Sequence, residues 1–495
     1  MIRKLIDRLF SPKKSAGTQG RRAQTPGASL GIDPSRLPNS ALTVVRTLQQ
    51  AGFEAYIVGG AVRDMLLGLK PKDFDVATNA TPEQVKPLFR RALLIGRRFR
   101  IVHVMFGREV IEVSTFRANP DEPAAAVDGD ERDGRKLAGR HHAVDTSGRV
   151  LRDNVWGSQE EDAARRDFSV NALYYDPSRD LVVDYHHGLR DLKARTLRMI
   201  GEPSRRYRED PVRLLRVARF AAKLGFEIAP GTLHPVASQA ELLRNVPSAR
   251  LFDETIKLLQ TGHALASLDN LRRLGLHKGL LPLIDLALSQ PRGEAFVMAA
   301  LGDTDARIAA GKTASPAFLF ACLLWPQVGQ RWAQLQVEGV PLIAALDQAA
   351  DEVLAAQAER LAIQRRISVD MREIWALQPR LARRSSRYAY GALEHPRFRA
   401  GFDFLLLRAR TGEAAPELAQ WWQDFQDADE AGRAELLEQA ARGAPAEAPK
   451  KRRRRRRKPA GGAGEAAGDT TARPEGDDGD EGGEGAPRDE QPDRA

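Results

Sequence analysis

Asp73 and Asp75 stand two residues apart in "KDFDVAT", a short stretch of β-favouring character. On a strand, alternate side chains share a face, so the two carboxylates point the same way. Inside an apolar sheet such a pair repels itself, and one member stays protonated unless a cation intervenes. Two hard oxygen ligands on one face suit Mg²⁺ or Mn²⁺. A pair of such ions about 4 Å apart activates an attacking hydroxyl and stabilises a departing pyrophosphate. The reading therefore expects a buried strand whose acidic pair is tolerated because metal ions neutralise it.

Just ahead lies "YIVGGAVRD". Gly59 and Gly60 form a bend without side chains, where a triphosphate can approach backbone N–H groups. Arg63, just inside the following helix, offers phosphate a forked pair of hydrogen bonds. A further carboxylate is wanted, and two residues compete for the place: Glu112 in "VIEVS" and Asp167 in "RRDFSVNALYY". A lone "DFD" is most simply an exposed turn or a capping pair. The glycine–arginine unit ahead of it is what turns the reading towards chemistry.

A third landmark is "YREDPVRLLRVARFAAKLGF". Asp210 and Pro211 read as N-cap and first residue of a helix. Arg213, Arg216 and Arg219 then recur every third residue, opposite Leu214, Val217, Ala218 and Ala221. Either these arginines lie in solvent on an ordinary amphipathic helix, or they face the base and phosphates of a nucleotide. Spacing alone does not decide.

The elements that must position these groups follow from pattern. "EAYIVGG" is an apolar run stopped by glycines, and Thr81 with Pro82 opens a helix. "IVHVMFG" and "EVIEVSTF" read as paired strands around Gly107 and Arg108. Residues 118–150, which include His141 and His142, read as a long mobile loop. Ser158 and Glu161 form a capping box, and "VNALYYDPSRDLVVDYHHG" reads as a hairpin turning through Asp176 to Asp180. From Asp210 to about Ala441 the pattern is helical throughout.

The chain has 495 residues, 42% of them hydrophobic, with a net charge of +10. That is too long for one core, so two or three folded units are expected. No apolar run approaches the ~20 residues that span a bilayer. The single cysteine, Cys322, lies in "AFLFACLLW" and reads as a core residue in a reducing, cytoplasmic setting. Lys450, Lys451, Arg452, Arg453, Arg454, Arg455, Arg456, Arg457 and Lys458 form an unbroken cationic run, read as RNA-binding. A Gly-rich acidic tail follows it. At the other end, "MIRKLIDRLF" has helical amphipathic spacing. It reads as a weak membrane-surface helix, a frayed end or a helix docked on the body.

"VGGAVRDMLLGLKPKDFDVAT", "RRDFSVNALYYD" and "YREDPVRLLRVARFAAKLGF", in that order, resemble the motifs of the class II template-independent nucleotidyltransferases. This family contains the bacterial poly(A) polymerases and the CCA-adding tRNA nucleotidyltransferases. The resemblance covers roughly residues 40–260. It implies an α+β head with a small mixed or antiparallel sheet, followed by an all-α neck and body, with disordered termini. The corresponding spans are a mobile N-terminal segment (1–38), the head (39–200), the neck (201–265), the body (266–442) and a disordered tail (443–495).

By the same resemblance, Asp73 and Asp75 hold the metal, and Gly59, Gly60 and Arg63 meet the triphosphate. Arg166, Asp167 and Asn171 handle the ribose and complete the acidic site, while Asp210, Arg213 and Arg216 contact the incoming nucleotide. "LLIGRRFRIVHVMFGREVIEVSTFR", "LEHPRFRAGFDFLLLRA" and "WWQDF" resemble the poly(A) polymerase branch. The implied activity is addition of AMP from ATP to RNA 3′ ends with release of pyrophosphate, in RNA processing and decay. The implied partners are RNA, ATP and proteins of RNA decay, with the enzyme acting as a monomer. CCA addition to tRNA is the alternative within the family, and a catalytically idle RNA-binding scaffold is the alternative outside it. The acidic extension and the 118–150 loop depart from the family pattern.

Overall fold

The computed structural model describes residues 22–96, 100–118, 143–144, 150–152, 155–277, 285, 287–289, 291–358 and 362–442. The amphipathic run at the N-terminus, the paired histidines 141 and 142 and the cationic run at 450–458 lie outside the described residues.

The head is built on β1 (Ala23–Pro26), α1 (Asn39–Gln50), β2 (Ala55–Val58), α2 (Gly60–Leu66), β3 (Asp75–Thr78) and α3 (Pro82–Val85). Next come β4 (Ala92–Ile95), β5 (Ile101–Phe106), β6 (Glu109–Thr115) and the short pair β7 (Ala143–Val144) and β8 (Val150–Arg152). It ends with α4 (Gln159–Arg165), β9 (Leu173–Asp176), β10 (Leu181–Asp184), α5 (Gly188–Lys193) and β11 (Thr196–Leu197). Eight strands make one mixed sheet in the order β1-β10-β9-β2-β3-β6-β5-β4. Within it only β3 and β6 run parallel, with Asp75 beside Glu112.

The expected hairpins form: β5 and β6 pair around Gly107 and Arg108, and β9 and β10 pair as read. The capping box of Ser158 with Glu161 is present, and Thr81, the expected N-cap, forms a second box with Gln84. The N-terminal expectation needs correction. From residue 22 the chain joins the fold, since β1 pairs with β10 at one edge of the mixed sheet. Ile32 and Leu37 are buried there, and two apolar side chains in a polar stretch are a weak signal.

One face of the sheet packs on α1, where Val44, Val45 and Leu48 meet Ile57, Val76 and Val113 in the main core. The other face is closed over β2, β9 and β10 by α4, with Tyr56, Val58, Tyr174 and Ala163 in one cluster.

Beyond the head the chain is almost all helix: α6 (Pro203–Glu209), α7 (Val212–Leu224), α8 (Ser248–Leu259) and α9 (Ala264–Arg273). The exception is β12 (Glu227–Ile228), which runs parallel to β11. Helix α7 ends at Gly225, whose φ of 61° provides the left-handed C-cap. It packs across α9, where Asn270 donates to the Ala218 carbonyl at 3.1 Å.

The body comprises α10 (Pro291–Ala309), α11 (Pro316–Val337), α12 (Leu342–Ala358), α13 (Arg365–Leu381), α14 (Ser386–Leu393), α15 (Phe398–Arg410), α16 (Pro416–Asp427) and α17 (Glu430–Arg442). Cys322 is buried on α11, as expected. The "WWQDF" run serves packing: Trp421, Trp422 and Phe425 join Phe398 and Phe402 in a second cluster. Among the described residues no helix is long and apolar enough to cross a membrane.

Candidate active site

Where β2 ends, the chain turns through Gly59 at φ 73°, a conformation that favours glycine. A Cβ there would meet an Arg166 guanidinium nitrogen at 3.4 Å, so the bend brings bare backbone up to two cationic side chains, Arg63 and Arg166. The bend, the start of β3, the turn after α4 and one face of α7 enclose a cavity of about 570 Å³.

Eleven of the twelve head and neck site residues line it: Gly59, Gly60, Arg63, Asp73, Asp75, Arg166, Asp167, Asn171, Asp210, Arg213 and Arg216. Glu112 stays outside the lining, one strand further along. Arg219, Phe220, Lys223 and Lys257 complete the wall.

The acidic pair departs from expectation in one respect. Asp73 precedes β3 and Asp75 opens it, and both residues are exposed because they face the open cavity. The buried part of the strand begins at Val76. The Asp75 carboxyl is nevertheless crowded. Desolvation first, and then the charges of Glu112 and Asp73, push it up to about 6 against the opposing pull of Arg166. Such a surplus of negative charge is what a divalent cation relieves, and the hard-oxygen donors suit Mg²⁺. Among the described residues no three His, Cys, Asp or Glu side chains converge as a ready-made metal cluster. The chemistry of the two aspartate carboxylates fits a divalent cation.

Asp167 has other commitments. Arg216 grips one of its oxygens through Nε at 2.9 Å and through Nη2, while Asn171 and the Phe168 N–H donate to the other. Burial alone would raise its pKa, but the Arg216 charge and these hydrogen bonds bring it to about 2. Asn171 also accepts from Arg63, which donates to Asp64 as well. One hydrogen-bonded chain therefore runs Asp64–Arg63–Asn171–Asp167–Arg216, its last four members lining the cavity. Of the two candidates for the third carboxylate, Glu112 lies beside Asp75 in register but outside the cavity lining, whereas Asp167 lines the cavity and is tied to Arg216.

Arg166 stacks over Tyr174 at 5.2 Å and pairs with Asp162, so its charge is retained although burial opposes it. Phe220 gathers three guanidiniums, with Arg219 at 4.4 Å, Arg216 at 5.4 Å and Arg63 at 5.5 Å from its ring centroid. Cation–π contact of this kind orients arginines without neutralising them.

The expected N-cap at Asp210 also needs correction. Asp210 is the C-cap of α6, and Pro211 occupies the cap position of α7. Its carboxylate faces Arg250 of α8, with paired distances of 2.9 and 3.1 Å. Arg213 is held by Glu209 and by the Arg206 carbonyl. Of the arginine stripe, Arg213 and Arg219 are nearly buried and Arg216 half-buried, so the solvent-face reading fails.

Sequence reasoning misses Phe220, Lys223, Lys257 and Arg250. The first two continue the cavity face of α7, and helical spacing from Arg216 is the available signal. The last two come from α8, a contact across sequence that no local pattern announces.

Three family models match in chain order. "Poly A polymerase head domain" covers residues 55–198, "Probable RNA and SrmB- binding site of polymerase A" covers 225–288, and "Polymerase A arginine-rich C-terminus" covers 338–459. The chain is 44% identical to Poly(A) polymerase I of Haemophilus influenzae over 84% of its own length and 90% of that protein. With Poly(A) polymerase I of Salmonella typhi it shares 43% identity over 86% and 90%. Similarity to the CCA-adding enzyme of Levilactobacillus brevis, at 38%, covers only 45% of this chain and 50% of that protein. The fold resembles the crystal structure of the Bacillus stearothermophilus CCA-adding enzyme in complex with CTP, with a TM-score of 0.50 and 25% identity, covering 81% of this chain and 82% of that one. The chain belongs to the poly(A) polymerase family of nucleotidyltransferases.

Proposed function

We propose that this protein is a template-independent polynucleotide adenylyltransferase, adding AMP from ATP to RNA 3′ ends and releasing pyrophosphate. The observation that carries the reading is the cavity itself, where an exposed aspartate pair faces a glycine bend and a wall of arginines. Bound Mg²⁺, held by Asp73 and Asp75, would supply charge to lower the pKa of the acceptor hydroxyl and to stabilise the transferring phosphate.

The chain's own residues do the rest. Gly59 and Gly60 present backbone to the triphosphate, and Arg63 and Arg166 balance its charge. Glu112, next to Asp75, is the third carboxylate of the site, and Asp167 positions Arg216. Catalysis of this type is mainly placement and charge stabilisation.

Base selection falls to Asp210 and Arg213. Arg250 fixes the first, and Glu209 with a main-chain carbonyl fixes the second. Similarity to Poly(A) polymerase I over most of the chain, against less than half for the CCA-adding enzyme of Levilactobacillus brevis, supports poly(A) over CCA addition. The match to family regions described for RNA binding and for an arginine-rich C-terminus supports RNA as acceptor. The run from Lys450 to Lys458 is proposed to add salt-dependent, sequence-tolerant RNA affinity, and proteins of RNA decay are the expected partners.

The test supplies the purified protein with ATP alone, or with CTP and ATP, on a generic RNA oligonucleotide and on tRNA lacking its terminal CCA. Long A tracts on either RNA are expected. Addition confined to CCA on tRNA would overturn the reading.

A further inference from the structure

Among the described residues, the sheet face that carries Asp75 continues beyond the cavity as an exposed surface with apolar side chains around Glu112 and His103. Partners in register on neighbouring strands point to the same side. Asp75, Glu112, His103 and Leu93 therefore form one row across β3, β6, β5 and β4. Over β2, β9 and β10 this face is closed by α4. Over β6, β5 and β4 its apolar side chains are exposed among the described residues: Leu93 is 51% exposed, Val110 45% and Ile95 39%. On the opposite face Val102 and Val104 of β5 and Ile111 and Val113 of β6 are buried, while Leu94 of the edge strand β4 is 38% exposed. An apolar sheet face left open beside a catalytic centre marks a binding surface.

The direction of reaction says what binds there. In-line transfer requires the acceptor hydroxyl and the leaving pyrophosphate on opposite sides of the reacting phosphorus. None of the cavity's lining residues comes from β4, β5 or β6. The nucleotide thus lies to one side of Asp75, and the open face lies to the other. Three strand spacings separate Asp75 from Leu93, about 14 Å, which is room for about four bases stacked at ~3.4 Å. Arg90, Arg91 and Arg108 are exposed at the end where β4 begins and β5 turns into β6. Apolar surface for base faces with cations at its margin is the combination that holds single-stranded nucleic acid without reading its sequence.

We propose that the open face of β4, β5 and β6 seats the last nucleotides of the RNA acceptor. The bases lie against Leu93, Ile95 and Val110, and the terminal ribose lies at Asp75 and Glu112. The assignment rests on the adenylyl-transfer reading above and adds to it a site on the head, distinct from the helical region matched to RNA binding.

The test uses the full chain and a short oligoadenylate carrying 4-thiouridine at the penultimate position, or far upstream in a control. Irradiation should crosslink the penultimate probe to peptides of β4, β5 or β6, and the upstream probe elsewhere. Leu93→Glu and Val110→Glu place negative charge under the RNA. Each should raise the KM for RNA at least about tenfold while leaving the Kd for ATP within about twofold, with a melting temperature like that of the wild type. Three results would overturn the site. One is an unchanged KM for RNA in well-folded variants, and another is penultimate crosslinks confined to the helices beyond residue 225. The third is substitutions that lower only the melting temperature while the strands give no crosslinks, meaning that the chain covers this face itself. If instead the wild-type protein adds AMP to no RNA, the underlying reading fails first.

Discussion

Replacing Asp167 by Asn removes one charge from a buried pair and changes little else in shape. The Asp167 carboxyl stands at about 2 instead of 3.8, and each tenfold gain in acidity corresponds to about 1.36 kcal/mol. The charged form, gripped by Arg216, is therefore worth about 2 kcal/mol to the head at neutral pH. The sign follows from the depressed folded-state value: the contribution is complete above the unfolded pKa and is lost as pH falls from 3.8 towards 2. The variant keeps an oxygen to accept from Asn171 and from the Phe168 N–H, but its amide nitrogen faces the Arg216 donors, so the loss combines the charge with the two Arg216 hydrogen bonds. Hydrogen exchange of the β2 and β9 amides at neutral pH should accelerate on the order of 30-fold if they exchange through opening of the head. The stability gap between the two proteins should narrow as pH is lowered from about 5 to about 3. Glu438→Gln, which breaks an exposed pair with Arg442, serves as a control expected to change nothing measurable. A loss below about 0.5 kcal/mol for Asp167→Asn, or a gap independent of pH, would refute the reasoning.

Three further outcomes are expected. Phe220→Ala removes the ring that three guanidiniums share and should raise the KM for ATP about tenfold, with a smaller change in kcat, read from initial rates at saturating RNA. Arg250→Ala frees the Asp210 carboxylate and should weaken discrimination of ATP from CTP by at least about tenfold in kcat/KM; an unchanged ratio would remove Arg250 from base selection. Glu112→Gln should lower kcat at least about 100-fold. It should also move the acid limb of the residual pH–rate profile to lower pH, because the Glu112 charge helps to hold the Asp75 carboxyl up at about 6.

Much of the site is legible in sequence because its residues sit in short local motifs. The glycine bend, the DxD spacing and the arginines three apart on α7 are patterns of one turn or one strand, and a single element fixes their geometry. Three expectations fail for reasons that local pattern cannot supply. The aspartate pair reads as buried because the strand after it is apolar, yet Asp73 lies ahead of the strand and both residues open onto the cavity. Asp210 reads as a cap because a carboxylate before proline fits that role; Arg250, forty residues on, takes it instead. Strand β1 is hidden in a polar segment because an edge strand needs backbone pairing more than apolar side chains. Contacts between distant elements, such as Lys257 on the cavity wall, leave no periodic trace.

The central claim is that Asp73 and Asp75 carry the chemistry of AMP transfer. Its most direct measurement is single-turnover transfer from ATP to RNA by the Asp73→Asn, Asp75→Asn double variant in Mg²⁺, with ATP and RNA binding measured in parallel. Transfer should fall at least about 1,000-fold while both ligands still bind. Transfer at the wild-type rate would contradict it.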